Sequence, residues 1–473
     1  MPSFRTFLYE IEVKNMNKFA TIIRRILLKF NLTRLLTFGY RSDIAERNIL
    51  VGYLTYMLLG FGLLMLPWSN SGDNSWIDNL FTAASAISTT GLATVEVCES
   101  YTLFGQFVIM FLVQLGAIGY MTLSSYILFR LTHHATNYTG KMVNASMGVP
   151  YGMKLRDLIN NVVHFTVIFE AVGFVMFYIV FSHLSVDMAA WKALFLAVSS
   201  FGTAGFSPFP DSLCMFDDNV AVNAIVAALS YAGAMGFIVI TDLTNKLKNR
   251  DYTISFTTKV IMIITGIMTV GGTLILLLSP GGVEGHGFWH RLLYSFFQTM
   301  SAMTTVGFNT IDMSTLRVGP ILIFSLIMFV GASPSGTGGG VKCTSISAVW
   351  GFIISRLGLR KEVTFLGRVI PMYRVDSALT NIFIYGIAIF AGCLVLAYCE
   401  PFRLSQILFE ATSAIGTVGL STGITPDLSV TGKLVMIALM YIGRVGVITF
   451  GSALVISTKE KRHRAKQESD LVA

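Results

Sequence analysis

FTAASAISTTGL (81–92), FLAVSSFGTAGF (195–206), FQTMSAMTTVGF (297–308) and FEATSAIGTVGL (409–420) are four versions of one twelve-residue phrase. Aligned on Gly91, Gly205, Gly307 and Gly419, they carry Phe ten residues before the glycine (Phe81, Phe195, Phe297, Phe409). Ser stands six before (Ser85, Ser199, Ser301, Ser413) and Thr two before (Thr89, Thr203, Thr305, Thr417). A bulky apolar residue follows each glycine: Leu92, Phe206, Phe308 and Leu420. The glycines lie 114, 102 and 112 residues apart, so four units nearly fill the chain. Ungapped matches at four positions in four places indicate an internal repeat. Close packing of duplicated helix hairpins also uses small residues, but it does not explain why they gather in short segments at one fixed spacing.

The surrounding sequence says where these phrases sit. Of 473 residues, 53% are hydrophobic and 13% charged, against roughly 25% charged in soluble domains. Mean hydropathy is +0.67. A soluble globule, a disordered chain, collagen and a coiled coil are excluded, and a multi-span membrane protein remains. Eight segments are long and apolar enough to span: 48–67, 101–129, 162–186, 219–241, 260–280, 318–355, 377–399 and 434–458. Lys and Arg collect in alternate connections, at 1–47, 141–156, 246–259, 356–374 and 459–466, while the others carry mainly acids. By the positive-inside rule the basic loops and both termini face the cytoplasm. Trp68, Trp76, Trp191 and Trp289 then fall near the outer interface. The net charge of +8 and pI of about 9.2 follow from those inner loops and give no reason to expect nucleic acid. The five cysteines (98, 214, 343, 393, 399) show neither disulfide nor zinc spacing.

The four phrases lie in the outer loops, within apolar stretches at 76–90, 189–204, 288–306 and 402–418 that are too short to cross. The expected fold is therefore an all-α integral membrane protein with eight transmembrane helices, arranged as four span–pore helix–span repeats around a pseudo-fourfold pore. The expected boundaries are a basic cytoplasmic segment at 1–47, pore repeats at 48–130, 155–247, 257–355 and 376–458, and a cytoplasmic tail at 459–473. Residues 19–38 suit a basic amphipathic helix on the inner membrane surface, or a loosely ordered tail.

A short helix entering from outside would point its negative dipole end inward, toward a cation. The chain would return outward as Thr-x-Gly, with glycine supplying the backbone freedom that turns carbonyls to the axis. Four such copies form rings of carbonyl oxygens that replace the hydration shell of a monovalent cation. Thr90, Ala204, Val306 and Val418 occupy the middle position, so no carboxylate ring is present. Glu96, Asp211, Asp312 and Asp427 lie just beyond, where together they could concentrate cations, although any one of them alone reads first as an ordinary solvated loop acid.

The Thr-x-Gly core resembles a potassium-channel signature with one glycine per repeat. Four span–pore–span units in one chain resemble the Trk/Ktr/HKT potassium transporter superfamily, and eight spans resemble the bacterial Ktr-type membrane subunit. The likeness covers about 48–458. It implies a potassium selectivity filter at Thr89, Thr90, Gly91, Leu92, Thr203, Ala204, Gly205, Phe206, Thr305, Val306, Gly307, Phe308, Thr417, Val418, Gly419 and Leu420. The K+ would sit at Thr89, Thr90, Thr203, Ala204, Thr305, Val306, Thr417 and Val418. Some relatives with Ser at the first filter glycine pass sodium; glycine at all four positions favours potassium. The resemblance further implies a homodimer in the cell (cytoplasmic, inner) membrane, surrounded by lipid, on a cytosolic ring of separate nucleotide-binding regulatory subunits. No cofactor is expected on this chain beyond permeating K+.

The sixth span is interrupted by GASPSGTGGG (331–340), with Pro334 and five glycines, followed by Val341 and Lys342. A regular helix cannot continue through it. It is not a nucleotide loop, because Val341 stands where either glycine-rich motif needs another residue. It resembles an intramembrane gate, which assigns Gly331, Ser333, Pro334, Gly336, Gly338, Gly339, Gly340, Lys342 and, in the last span, Arg444 to gating. Glu170, Lys342 and Arg444 are the charges expected within spans, where charges usually face an interior path and pair. Glu170 is expected to pair structurally with His164 or with a distant cation. His133 and His134 are expected in an inner loop. No catalytic motif occurs and no enzyme activity is expected. A secondary carrier with alternating access is the alternative, although its usual inverted repeats differ from these parallel ones.

Overall fold

The structure is a computed structural model that describes residues 45–119, 155–279, 287–447 and 449–450. Most of the basic N-terminal segment, the tail 459–473, the stretch 19–38, and His133 and His134 lie outside the described residues.

The helices fall into four consecutive sets. The first holds α1 (Ala45–Leu64), α2 (Trp76–Ile87), the single turn α3 (Val97–Ser100) and α4 (Leu103–Ile118). The second holds α5 (Leu155–His183), α6 (Ala189–Phe201) and α7 (Val220–Lys248). The third holds α8 (Phe256–Leu278), α9 (Phe288–Thr304), α10 (Val318–Phe329) and α11 (Cys343–Leu357). The fourth holds α12 (Met372–Cys399), α13 (Leu404–Gly416) and α14 (Val430–Val445). Their starts are written locally. Ser75, Thr102, Asn219, Ser255 and Ser429 each accept a hydrogen bond from a first-turn N–H of the helix they precede, which satisfies a donor the helix leaves over.

Among the described residues, five helices are long and apolar enough to cross a membrane: 47–64, 160–183, 220–248, 256–278 and 372–399. They differ in what surrounds them. Across their apolar windows α5 and α12 are 22% buried, whereas α7 is 72% buried. Outward-facing Val167, Ile179, Ile267, Phe383, Ile387 and Phe390 suit hydrocarbon, and α7 is an inner wall. The four short helices are lined with buried side chains. Phe81, Phe195, Phe297 and Phe409 are each at most 1% exposed, and so are Leu92, Phe206, Phe308 and Leu420. The repeated large residues therefore pack each short helix and its return into the centre of the molecule. One apolar cluster joins the first and fourth sets, a second joins the second and third, and a third joins the third and fourth.

Two findings modify the expected helices. The long helix that follows each short helix is broken at one level. Gly119 (φ 79°) ends α4, Gly236 (φ 80°) kinks α7, and Gly446 (φ 87°) ends α14. In the third set the expected span 318–355 splits into α10 and α11 around residues 330–342. Glycine tolerates these left-handed angles without a Cβ penalty. The chain is also not purely helical. β1 (Val330–Gly331) pairs in parallel with β2 (Val341–Lys342). β3 (Thr364–Phe365) pairs antiparallel with β4 (Arg368–Val369) through Leu366 and Gly367, both at positive φ, as a tight hairpin turn requires.

Candidate ion pathway

Each short helix ends in the same backbone motif. Thr89, Thr203, Thr305 and Thr417 are all left-handed, with φ of 52°, 48°, 58° and 50°. Gly91, Gly205, Gly307 and Gly419 follow at φ of 91°, 68°, 80° and 97°. The residue between them is not at positive φ, so the sign alternates along the return. Alternating signs turn successive carbonyls toward one side, which a helix or strand does not do.

Hydrogen bonds brace this strained backbone in the same way four times. The N–H groups of Thr90, Ala204, Val306 and Val418 donate to the carbonyls of Ser85, Ser199, Ser301 and Ser413 at 2.9–3.1 Å. Three of the four serine hydroxyls add a second tie, and Ser199 Oγ has no hydrogen-bond partner among the described residues. The Gly91 N–H donates to Ser85 Oγ (3.0 Å) and the Gly419 N–H to Ser413 Oγ (3.1 Å). Ser301 Oγ instead donates to the Phe308 carbonyl (2.6 Å). In the first and fourth motifs the six-residue interval in the sequence is the reach of this second tie.

The four motifs meet in a ring. A Cβ on Gly91 would fall 2.5 Å from the Ala204 carbonyl oxygen, and one on Gly205 would fall 2.5 Å from that of Val306. A Cβ on Gly307 would strike the Val418 carbonyl, and one on Gly419 the Thr90 carbonyl. The order runs from the first motif through the second, third and fourth and back to the first, without a gap. No side chain fits at any of the four positions.

Residues 331–342 lie directly beneath. Thr337 Oγ1 shares a hydrogen bond with Thr203 Oγ1 (2.9 Å), and Thr89 Oγ1 donates to the Thr337 carbonyl (3.4 Å). The Gly339 N–H donates to Thr417 Oγ1 (2.8 Å), and a Cβ on Gly338 would strike Thr305 Oγ1. Three consecutive loop residues thus reach the threonines of all four motifs. Pro334 opens a turn closed by the Gly336 N–H on the Ser333 carbonyl (3.1 Å). The loop seats in the α7 kink. Ser333 Oγ donates to the Met235 carbonyl (2.6 Å), the Thr337 N–H donates to the Gly233 carbonyl (3.1 Å), and Gly236 packs against Ser335 and Gly336. At the other end Gly331 packs on Gly339 and Gly340.

Two cations hold the loop. Lys342 Nζ donates to the Gly338 carbonyl (2.7 Å). Arg444 donates to Thr89 Oγ1 (2.9 Å) and to the carbonyls of Thr337 and Gly116. One guanidinium thereby joins the first motif, the loop and the end of α4. Glu170 belongs elsewhere. Its Oε2 accepts from Gln114 Nε2 (3.0 Å), while His164 Nδ1 pairs with the Asn160 carbonyl (2.6 Å). The expected Glu170–His164 pair does not form, because an amide on α4 lies nearer than the imidazole six residues earlier on α5's own surface.

Four contributing residues were not legible in the sequence. Thr337 hides among glycines, Gly233 and Gly236 look like any span glycines, and Glu410 sits in a segment not counted as a span. Glu410 is 1% exposed and accepts from Ser421 Oγ, the Thr422 N–H and hydroxyl, and Thr425 Oγ1 at 2.7–3.0 Å. It anchors the chain leaving the fourth motif. In the connection after the second motif, burial and then the charges of Asp211, Asp312 and Asp217 push the Cys214 thiol up to about 11.

The chain is similar to known proteins along nearly its whole length. A family profile described as TrkH, cation transport protein, matches residues 16–462. The Ktr system potassium uptake protein B of Bacillus subtilis is 35% identical over 429 residues, covering 85% of this chain and 90% of that protein. The protein of the same description from Vibrio alginolyticus is 32% identical, covering 86% and 90%. The potassium/sodium uptake protein NtpJ of Enterococcus hirae is 32% identical, covering 89% and 95%. The crystal structure of the potassium transporter TrkH from Vibrio parahaemolyticus superposes with a TM-score of 0.71 at 19% identity, over 88% of this chain and 86% of that one. The profile match and the relatives together establish that the chain belongs to the TrkH family of cation transport proteins.

Proposed function

We propose that this chain is the pore-forming membrane subunit of a potassium uptake system in the cell membrane. The closed ring of Gly91, Gly205, Gly307 and Gly419 carries the reading, because each glycine abuts a carbonyl of the next motif. Carbonyls of Thr89, Thr90, Thr203, Ala204, Thr305, Val306, Thr417 and Val418 replace the water around a dehydrated K+. Eight spans form four repeats around this ring, with both termini cytoplasmic. The break at 330–342 counts as one span in two halves. Residues 331–342 and Arg444 close the path from below, and transport requires that the loop leave the four threonines.

K+ is cargo, and the chain holds no resident cofactor and performs no covalent chemistry. Two relatives are described as components of a Ktr system. A homodimer resting on a cytosolic ring of nucleotide-binding regulatory subunits fits that description and the basic inner loops. The experiment is a flux assay on the purified chain in proteoliposomes, comparing K+, Rb+ and Na+. The expected result is rapid K+ and Rb+ flux with Na+ at least about tenfold slower, a difference of about 1.4 kcal/mol. Equal Na+ and K+ passage would sink the carbonyl-ring reading. Slow, saturating flux with a fixed ion ratio would point to a carrier.

A further inference from the structure

Away from the pathway, Asp217, Asp218 and His290 bring one ligand atom each to within 4.8 Å of one another. The acids follow the 3₁₀ turn Cys214–Phe216 in the outer connection of the second set, and His290 lies in the first turn of α9 in the third. His290 Nε2 is 2.9 Å from Asp218 Oδ1 and 3.4 Å from Asp217 Oδ2. A proton on Nε2 can make one good hydrogen bond and leaves the second carboxylate at the edge of range. A cation at the shared point takes all three atoms. Bonds of about 2.0–2.1 Å give tetrahedral ligand edges of about 3.3–3.4 Å; the His290–Asp217 separation of 3.4 Å matches, the His290–Asp218 separation of 2.9 Å would widen slightly, and all three atoms lie within 4.8 Å of one another. Asp217 is already oriented for this, because its other oxygen accepts the Asp218 backbone N–H (2.8 Å), an outer-shell bond of the kind that fixes a ligand.

The geometry points to an external binding site for one divalent d-block cation of zinc type, formed by Asp217 Oδ2, Asp218 Oδ1 and His290 Nε2. Two carboxylates balance the 2+ charge. The imidazole selects zinc, cobalt or nickel over magnesium and calcium, which prefer all-oxygen shells. Water completes the shell, since the Asp218 side chain is 79% exposed.

The site has a route to the pathway. The same outer connection holds the return of the third motif. The Leu213 N–H donates to the Asn309 carbonyl (3.1 Å), and the Asn309 N–H donates to Ser212 Oγ (3.2 Å). Asn309 is two residues beyond Gly307. An ion joining Asp217 and Asp218 to α9 fixes this connection at both ends and stiffens the outer mouth.

Binding is tested on the purified full chain in detergent, with Zn2+ titrated calorimetrically and Co2+ followed by its visible absorption. The expected result is one ion per chain, unaffected by millimolar Mg2+ or Ca2+, and weakened at least about tenfold by His290→Ala or by Asp217→Asn with Asp218→Asn. Should the alanine variant fail to fold, His290→Gln serves in its place. A second readout is Rb+ flux in proteoliposomes with Zn2+ added to the outer side, which should fall for the wild type and not for the His290 variant. Absence of Zn2+ binding up to millimolar concentration, or binding equally strong in the His290 variant, would overturn the proposal. Binding is read without transport, so its failure is distinguishable from failure of the potassium reading.

Discussion

At Gly205 a single missing atom decides the site. The backbone there is at φ +68°, and a Cβ would lie 2.5 Å from the Val306 oxygen. Gly205→Ser must therefore displace the Val306 carbonyl, one of those proposed to hold K+, and the alternation that aligns the ring is lost. Preference for K+ over Na+ should fall at least about tenfold, or about 1.4 kcal/mol, as read from bi-ionic flux ratios. An unchanged ratio would mean that these carbonyls do not select. Arg444 poses the opposite case. It touches the loop and the first motif, yet supplies no carbonyl to the ring. Burying an Arg at span depth costs about 2.5–3.5 kcal/mol on insertion scales, which its donors offset by binding Thr89, Thr337 and Gly116. Each hydrogen bond from a charged donor contributes about 1.5–3 kcal/mol. Arg444→Ala should then favour the open path and raise K+ flux about tenfold, while leaving the K+/Na+ ratio mostly intact. Reduced flux at equal expression would count against a closing role.

At the scale of elements, the loop 331–342 is held by register as much as by side chains. The Val330–Val341 and Gly331–Lys342 pairing brings its two ends side by side. Removing Ser333–Gly339 rejoins the chain across a short gap and leaves α10 and α11 in place. Steady K+ flux should rise several-fold, and Thr337→Val should give a smaller rise by removing the hydroxyl bond to Thr203. If a folded deletion variant conducts like the parent, the loop is a kink and not a barrier. The short helices were legible because Phe, Ser, Thr and Gly recur at fixed intervals: the Phe side chains are buried in all four, and the Ser–Gly interval is a hydrogen bond in the first and fourth. The breaks at Gly119, Gly236 and Gly446 were not. The chain has 43 glycines, and nothing in composition marks which of them end or kink a long helix at positive φ. Likewise the Glu170–Gln114 contact joins residues 56 apart on separate helices, and no local pattern announces it.

At the scale of the whole molecule, four sets in one chain must close on themselves, and the first and fourth sets meet without a covalent neighbour. The Tyr441 hydroxyl on α14 donates to the Leu50 carbonyl on α1. On the outer side, Lys433 Nζ on α14 meets Asp78 Oδ1 on α2 at 2.8 Å, with side chains 11% and 13% exposed. Two charges this well covered are far from neutral to break. Lys433→Met leaves the Asp78 carboxylate buried without its cation, and loss of one member of a buried pair costs about 3–5 kcal/mol. Replacing both, with Asp78→Asn and Lys433→Met, removes the stranded charge and should recover most of that loss, because a buried pair is often no better than neutral groups that fit its space. The single variant should therefore melt well below the parent, followed by tryptophan fluorescence in detergent, and the double variant near it. K+ flux should follow the same order, since separating α14 from α2 opens the seam where Gly419 meets the Thr90 carbonyl. Equal losses in the single and double variants would show instead that Lys433 and Asp78 act through separate partners, and the ring would owe its closure to apolar packing between the first and fourth sets.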